Sequence, residues 1–325
     1  MITALAGGVG AARFLQGLLA VHPPSDVTIV SNVGDDAEFF GLHVSPDIDI
    51  VLYHLAGLAD EERGFGIRGD TFHTLDALSR FGYDTWFRLG DRDLATCITR
   101  TDLLRPRLPA GRQGRTLSEA TAEIARALGV PARVLPVTDD RLRTRVRTNE
   151  GLLDFQEWFV HRGAAGPVRE IVFEGAEQAH PAPGVLEAIA AAEAVLITPS
   201  NPLVSVGPIL AVPGLRDALR ETPARVVAVS PIVGGATIKG PAAQMLRDQG
   251  LEASAMTVAR LYADFLDAIV IDDVDAGLVP EFEAMSLPAN RRGLAVTVTD
   301  TIMDSVEKKA ALARATLRAA GISLS

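Results

Sequence analysis

Four carboxylates crowd one short stretch of the chain: Asp35, Asp36, Asp47 and Asp49. The first two end the polar turn Asn32-Val33-Gly34-Asp35-Asp36, which follows the β-branched run Val27-Thr28-Ile29-Val30-Ser31. The other two stand just after Ser45-Pro46, where a serine cap and a proline at the first position open a helix. Carboxylates beside a diphosphate hold Mg²⁺, which bridges its oxygens, or accept the proton of an attacking hydroxyl. Asp47 and Asp49 are therefore the candidate metal ligands and the candidate catalytic carboxylates. Their plainer role is to complement the helix dipole from its first turn.

A diphosphate also needs a cradle, and the chain offers three. The first is Gly7-Gly8-Val9-Gly10, lying between the apolar run Ile2–Ala6 and a helical pattern that begins at Ala11-Ala12-Arg13-Phe14. A strand, a glycine turn and a helix bring free N–H groups and partial positive charge to one point, which favours phosphate. Arg13 replaces the small residue of a dinucleotide fingerprint and could reach back toward a phosphate. No Gly-Lys-Ser/Thr ending follows, so the turn is not a P-loop. The second cradle is 199–208, with Ser200, Asn201 and Ser205, and the third is 230–240, with Gly234 and Lys239. Each follows a buried apolar run and leads into a helix.

Other residues carry charge without declaring a use. Arg88 and the loop Gly90-Asp91-Arg92-Asp93 are dense in mixed charge beside Trp86 and Phe87, which suits either a site or a buried ion-pair network. Arg141, Arg143, Arg145 and Arg147 alternate with Leu142, Thr144 and Val146, so a strand puts all four on one face. That face is a solvated one, an anion clamp or a dimer seam. The single cysteine, Cys97, excludes an internal disulfide and suits a reducing compartment and plain packing.

These groups require a scaffold, and the order of elements supplies one. Apolar runs at 2–6, 27–31, 194–198, 225–229, 268–271 and 294–298 alternate with helical patterns that include 71–81, 94–101, 117–128, 242–248 and 304–320. This is the pattern of an α/β, Rossmann-like open sheet, mostly parallel, with helices on both faces and ligands at the carboxyl ends of its strands. Short strands at 132–137, 142–148, 155–160 and 168–174 predict a strand-rich insertion over 130–178 within a single domain spanning 1–325. The proline- and glycine-bearing stretch 106–114 is expected to be a loop. A net charge of −10, with 48% hydrophobic and 22% charged residues, argues against nucleic-acid or anionic-membrane partners. No apolar run reaches the roughly 18 residues of a membrane span. The first apolar run breaks at Gly7, with no positive charge before Arg13, so no secretory signal is expected and a soluble cytoplasmic protein is.

Taken together, several motifs resemble those of the 2-phospho-L-lactate transferase family, which acts in coenzyme F-420 biosynthesis. They are Gly7–Phe14, Asn32–Asp36, Ser45–Asp49, Leu89–Thr96, Phe155-Gln156-Glu157-Trp158, Pro199–Val206 and Ser230–Gly240, nearly end to end. The resemblance implies a Rossmann-like core, a homodimer and Mg²⁺ dependence. It further implies a guanosine diphosphate-linked phospho-acid donor, an acceptor FO (a deazaflavin with a ribityl chain) and release of GMP. On the same ground Asp47, then Asp49, would contact metal and activate the FO hydroxyl. Arg88, Trp86, Asp91 and Asp47 would bind FO. Gly7, Gly8, Gly10, Arg13, Ser200, Asn201, Ser205, Gly234 and Lys239 would hold the nucleotide phosphates. A nucleotide-sugar-binding regulator with the same core is the alternative. A nicotinamide oxidoreductase is disfavoured by Arg13 and by Asn32, where an acidic ribose ligand is expected.

Overall fold

The computed structural model describes residues 1–106, 114–285 and 293–323. Most of the stretch expected to be a loop at 106–114 therefore lies outside the described residues. In chain order the strands are β1 (Ile2–Ala6), β2 (Val27–Ser31), β3 (Ala37–Phe39), β4 (Leu42–Val44), β5 (Arg133–Pro136), β6 (Arg143–Thr148), β7 (Gly151–Asp154), β8 (Glu170–Glu174), β9 (Ala194–Ile197), β10 (Arg225–Val229), β11 (Ile232–Val233), β12 (Ala236–Thr237), β13 (Ala268–Ile271) and β14 (Ala295–Val298). The helices are α1 (Gly8–Val21), α2 (Pro46–Leu55), α3 (His73–Arg80), α4 (Asp91–Leu104), α5 (Leu117–Ala127), α6 (Val185–Ala190), α7 (Val206–Ala211), α8 (Leu215–Glu221), α9 (Ala242–Asp248), α10 (Ala255–Leu261), α11 (Val279–Glu283) and α12 (Val306–Ala319).

Seven strands form one sheet in the order β14-β13-β10-β9-β1-β2-β5, and every neighbouring pair is parallel. The strands β1, β2, β9 and β13 are buried along their whole length. A parallel sheet covered on both faces demands this, which is why these strands read as unbroken apolar runs rather than alternating ones. Among the covering helices, α1 and α12 come so close that a Cβ on Gly17 would fall 2.1 Å from the Lys309 carbonyl oxygen. The sheet grows from β1 through β2 to β5 on one side, then resumes with β9 on the other. The loops leaving β1 and β9 flank that reversal, where an open α/β sheet has its crevice.

Three local expectations are corrected. Phe155–Val160 is not a strand: Glu157–His161 is a short π-helical segment that follows the buried Phe155 and carries the buried Trp158. Gly90–Asp93 is not a loop, because α4 begins at Asp91. The predicted insertion is also narrower than 130–178. Its first strand, β5, joins the main sheet beside β2, and the separate three-stranded sheet is β7-β6-β8. On that small sheet Arg145 pairs with Asp154 and Glu174, and Arg147 with Glu170, so these arginines lie on an ion-paired sheet face.

Candidate active site

The site closes around Gly7, the residue that follows β1 and precedes α1. A Cβ there would lie 2.8 Å from Asp47 Oδ2, 2.8 Å from Ser205 Cβ and 3.2 Å from Asn32 Cβ. Only glycine lets the loops after β1, β2 and β9 and the first turn of α2 converge at that distance. Next along, Gly10 is equally tight, since a Cβ on it would meet the Pro199 carbonyl oxygen at 2.3 Å. No side chain caps α1, and no acidic residue occupies its first turn. The Gly7 N–H goes to Ser200 Oγ and the Gly8 N–H to Asp47, while the helix end keeps the partial positive charge that suits an anion.

Asn32 ties the convergence together. Its Nδ2 donates to Asp47 Oδ2 at 2.8 Å and to the Val204 carbonyl at 3.3 Å, while its Oδ1 accepts the Gly34 N–H at 2.8 Å. One buried amide thus fixes α2, the 199–205 loop and the turn after β2 against each other. Asp47 sits on it, with its carboxyl pushed up to about 6, chiefly by burial; hydrogen bonds from Asn32 and the Gly8 N–H oppose the shift and the Asp36 charge adds to it. Asp35 is likewise pushed well above the ordinary carboxylate range, by burial first and then by the charges of Asp47 and Asp36. Burial also raises Asp36, against hydrogen bonds from His43 and Ser45. The Ser45 hydroxyl, expected to cap α2, instead donates to Asp36 Oδ2 at 2.8 Å.

Asp49 does not join this group. Residues two apart on a helix point away from one another, and Asp49 turns to the fully buried Arg100, which grips both its oxygens. Asp93 and Cys97 lie beside it, their ligand atoms and that of Asp49 within 4.8 Å of one another. There the guanidinium already neutralises Asp49, Tyr53 donates to Asp93 at 2.7 Å, and burial pushes Asp93 up to about 7 and the Cys97 thiol upward. The expected Asp47–Asp49 pair is thus corrected: the carboxylates facing Asp47 are Asp35 and Asp36.

The remaining predicted residues spread around the rim. Ser200 Oγ accepts the Gly7 N–H at 3.3 Å, and Ser205 lies over Gly7 and Gly8. The Asn201 side chain is spent on the Leu203 N–H at 2.9 Å, shaping its own turn. Arg13 donates to the Glu61 carbonyl at 3.0 Å, and its Nε is buried without a partner. Gly234 sits at the tip of the β11–β12 hairpin, where its N–H donates to both Asp275 oxygens. Expected to cradle phosphate, that N–H is instead committed to the fold. Lys239 is exposed and reaches Gly64, on which a Cβ would lie 2.8 Å from Nζ.

Arg88 stacks on the Phe72 ring at 4.4 Å. Trp86 meets Phe39 and Phe87 edge-on and stacks on His161 at 4.8 Å. Asp91 accepts the N–H groups of His73 and Thr74 and the Thr71 hydroxyl, which together hold its carboxyl well below the usual range; it caps α3. Asp70 returns the favour by accepting the N–H groups of Arg92 and Asp93 at the start of α4. A cleft of about 550 Å³ between α5 and β5 stands apart, and none of the predicted site residues lines it. Sequence reasoning missed Asp70, Arg100, Gln156 and His161 as individuals. For Gln156 the signal was the motif Phe155–Trp158, and its partner Asp35 lies 121 residues away.

Comparison with known proteins identifies the family. Residues 2–299 match the family model described as 2-phospho-L-lactate transferase CofD. A phosphoenolpyruvate transferase of Streptomyces griseus is 43% identical over 98% of both chains. A 2-phospho-L-lactate transferase of Methanopyrus kandleri is 40% identical over 98% of this chain and 96% of its own. In structure, a UPF0052-family protein of Bacillus halodurans superposes with a TM-score of 0.61 at 16% identity, covering 97% of this chain and 98% of its own, and so shares the fold. With identity sustained over almost the full length of both transferases, the chain belongs to the 2-phospho-L-lactate transferase CofD family and is a transferase.

Proposed function

We propose that the chain transfers a phospho-organic-acid group from a guanosine diphosphate-linked donor to the terminal ribityl hydroxyl of FO, releasing GMP, as a step of coenzyme F-420 biosynthesis. The acid is 2-phospho-L-lactate, as the name of the Methanopyrus relative suggests, or the phosphoenolpyruvate of the Streptomyces relative, or the phosphoglycerate equivalent. The observation that carries this reading is the meeting of Asp35, Asp36 and Asp47 with the uncapped N-terminus of α1 at Gly7–Gly10.

The donor set suits Mg²⁺. Asp35 Oδ1 and Asp36 Oδ1 are buried with no hydrogen-bond partner. Neither Asp35 nor Asp47 forms an ion pair among the described residues, so their mutual repulsion is left for a cation to relieve. Asp35 and Asp47 would hold the ion. Bound there, it would neutralise diphosphate oxygens and the charge that develops on the departing phosphate.

The chain's own groups do the rest. The backbone N–H of Gly10, with Ser205 and Arg13, holds the diphosphate, and Arg88 and Trp86 bound the acceptor. Asp47, oriented by Asn32, takes the proton of the FO hydroxyl. The hydroxyl oxygen then bonds to the phosphorus next to the acid, and the bond to GMP breaks with its electron pair leaving on GMP. Mass spectrometry of products from FO, Mg²⁺ and each guanylyl-linked donor tests the reading. One donor should yield the FO phospho-acid ester and GMP; no ester from any of them rejects it.

A further inference from the structure

The geometry points to Gln156, carried by the segment that follows β7, as the positioning residue that presents Asp35 to a divalent cation. The inference rests on the cation reading above and adds to it a residue from the small three-stranded sheet. Gln156 Nε2 donates to Asp35 Oδ2 at 3.1 Å. That leaves Asp35 Oδ1, buried and without a partner, as the oxygen open to an ion.

The contact is built from both sides. Gln156 stands between two anchored aromatics: Phe155, stacked on Phe159 at 5.5 Å, and Trp158, fully buried with its Nε1 donating to the Ala165 carbonyl at 3.1 Å. Beneath it, the central strand β6 lies against the acidic turn, with the Thr144 N–H donating to the Gly34 carbonyl at 2.6 Å. A Cβ on Gly34 would fall 2.4 Å from Thr144 Oγ1, so the turn and the strand admit no side chain between them. The small sheet thus grips the backbone of the turn through Thr144 and the carboxylate through Gln156. An amide donor suits this place. It fixes one carboxylate oxygen without bringing a charge that would compete with the cation, as hydrogen-bonded partners of metal ligands commonly do.

Mn²⁺ binding to the full chain, followed by electron paramagnetic resonance, provides the test. Wild type should bind Mn²⁺, and Asp35→Asn should lose it. Both Gln156→Ala and Gln156→Met should weaken binding by roughly 10- to 100-fold, the usual effect of removing such a partner. Their melting temperatures without metal should stay near wild type, because Phe155, Trp158 and Thr144 still seat the small sheet. In turnover assays the Mg²⁺ requirement should rise in step, with kcat recovering at saturating Mg²⁺. Wild-type Mn²⁺ affinity in Gln156→Met overturns the role of the amide, even if Gln156→Ala is weakened by lost packing. Wild type that binds no Mn²⁺, or Asp35→Asn that binds it normally, overturns the cation reading itself and the inference with it.

Discussion

At the scale of single residues, Asp47 is held in a state that the fold alone would not choose. Its carboxyl rises from the ordinary 3.8 to about 6, so the folded chain binds that proton more tightly than the unfolded one. Between about pH 4 and pH 6 the folded state holds the extra proton, and stability falls as pH rises through that window. Above it the penalty is fully present, on the order of 3 kcal/mol by the usual conversion of a pKa shift. Asp47→Asn removes the charge and keeps an oxygen for Asn32. Without divalent cation the variant should therefore melt above wild type at neutral pH, and the two should converge near pH 4. Turnover should fall by roughly 10²- to 10⁴-fold, the share of a lost proton acceptor. An Asp47→Asn variant that melts below wild type at neutral pH would show that the carboxylate supports the fold. Asp49 is the opposite case. Its charge is answered by Arg100, and its place among the candidate ligands came from its position beside Asp47 after β2 and from the family motif, neither of which says which face of the helix a side chain takes.

At the scale of elements, the short joints are specified where sequence patterns look least remarkable. The helices α3 and α4 cap each other through Asp91 and Asp70, and a Cβ on Gly90 would run into Asp70 Oδ2 at 2.2 Å. Asp91→Ala should lower the melting temperature, as the loss of a cap does, and Asp91→Asn should lower it less; thermal unfolding measures both. Gly17 is a second joint. Gly17→Ala places a methyl group against the Lys309 carbonyl and should destabilise by about 1–3 kcal/mol as α1 and α12 are forced apart. Its kinetic constants at a permissive temperature should match wild type, since the Gly7–Gly10 turn lies at the other end of α1. Strand, glycine turn and helix were legible at 2–21 because that unit is local, and so was Pro46 at the start of α2. The joints were not. Nothing within the run 90–93 announces that its first aspartate caps the preceding helix. Nothing at Gly234-Gly235 separates a hairpin tip from a phosphate loop until Asp275 is seen to take the N–H.

At the scale of the whole molecule, the candidate site is an electrostatic debt shared by three distant parts of the chain. The turn after β2 brings Asp35 and Asp36, α2 brings Asp47, and the small sheet brings Gln156. In a chain of net charge −10 such a crevice repels itself, and a bound cation should stabilise the folded state as a whole. The exposed pairs at Arg145 and Arg147 do not compensate, because solvated ion pairs contribute little. An ion that binds only the folded chain stabilises it by mass action, about 2.7 kcal/mol at a hundred times its dissociation constant. For a protein of this size that corresponds to a rise in melting temperature of roughly 5 °C. Mg²⁺ should therefore raise the melting temperature of wild type. In Gly17→Ala it should do the same from a lower baseline, because the joint between α1 and α12 is not part of the acidic crevice. In Asp35→Asn and Asp47→Asn the rise should vanish, although the second of these starts higher without metal. An undiminished Mg²⁺ response in both aspartate variants would place the ion elsewhere in the molecule.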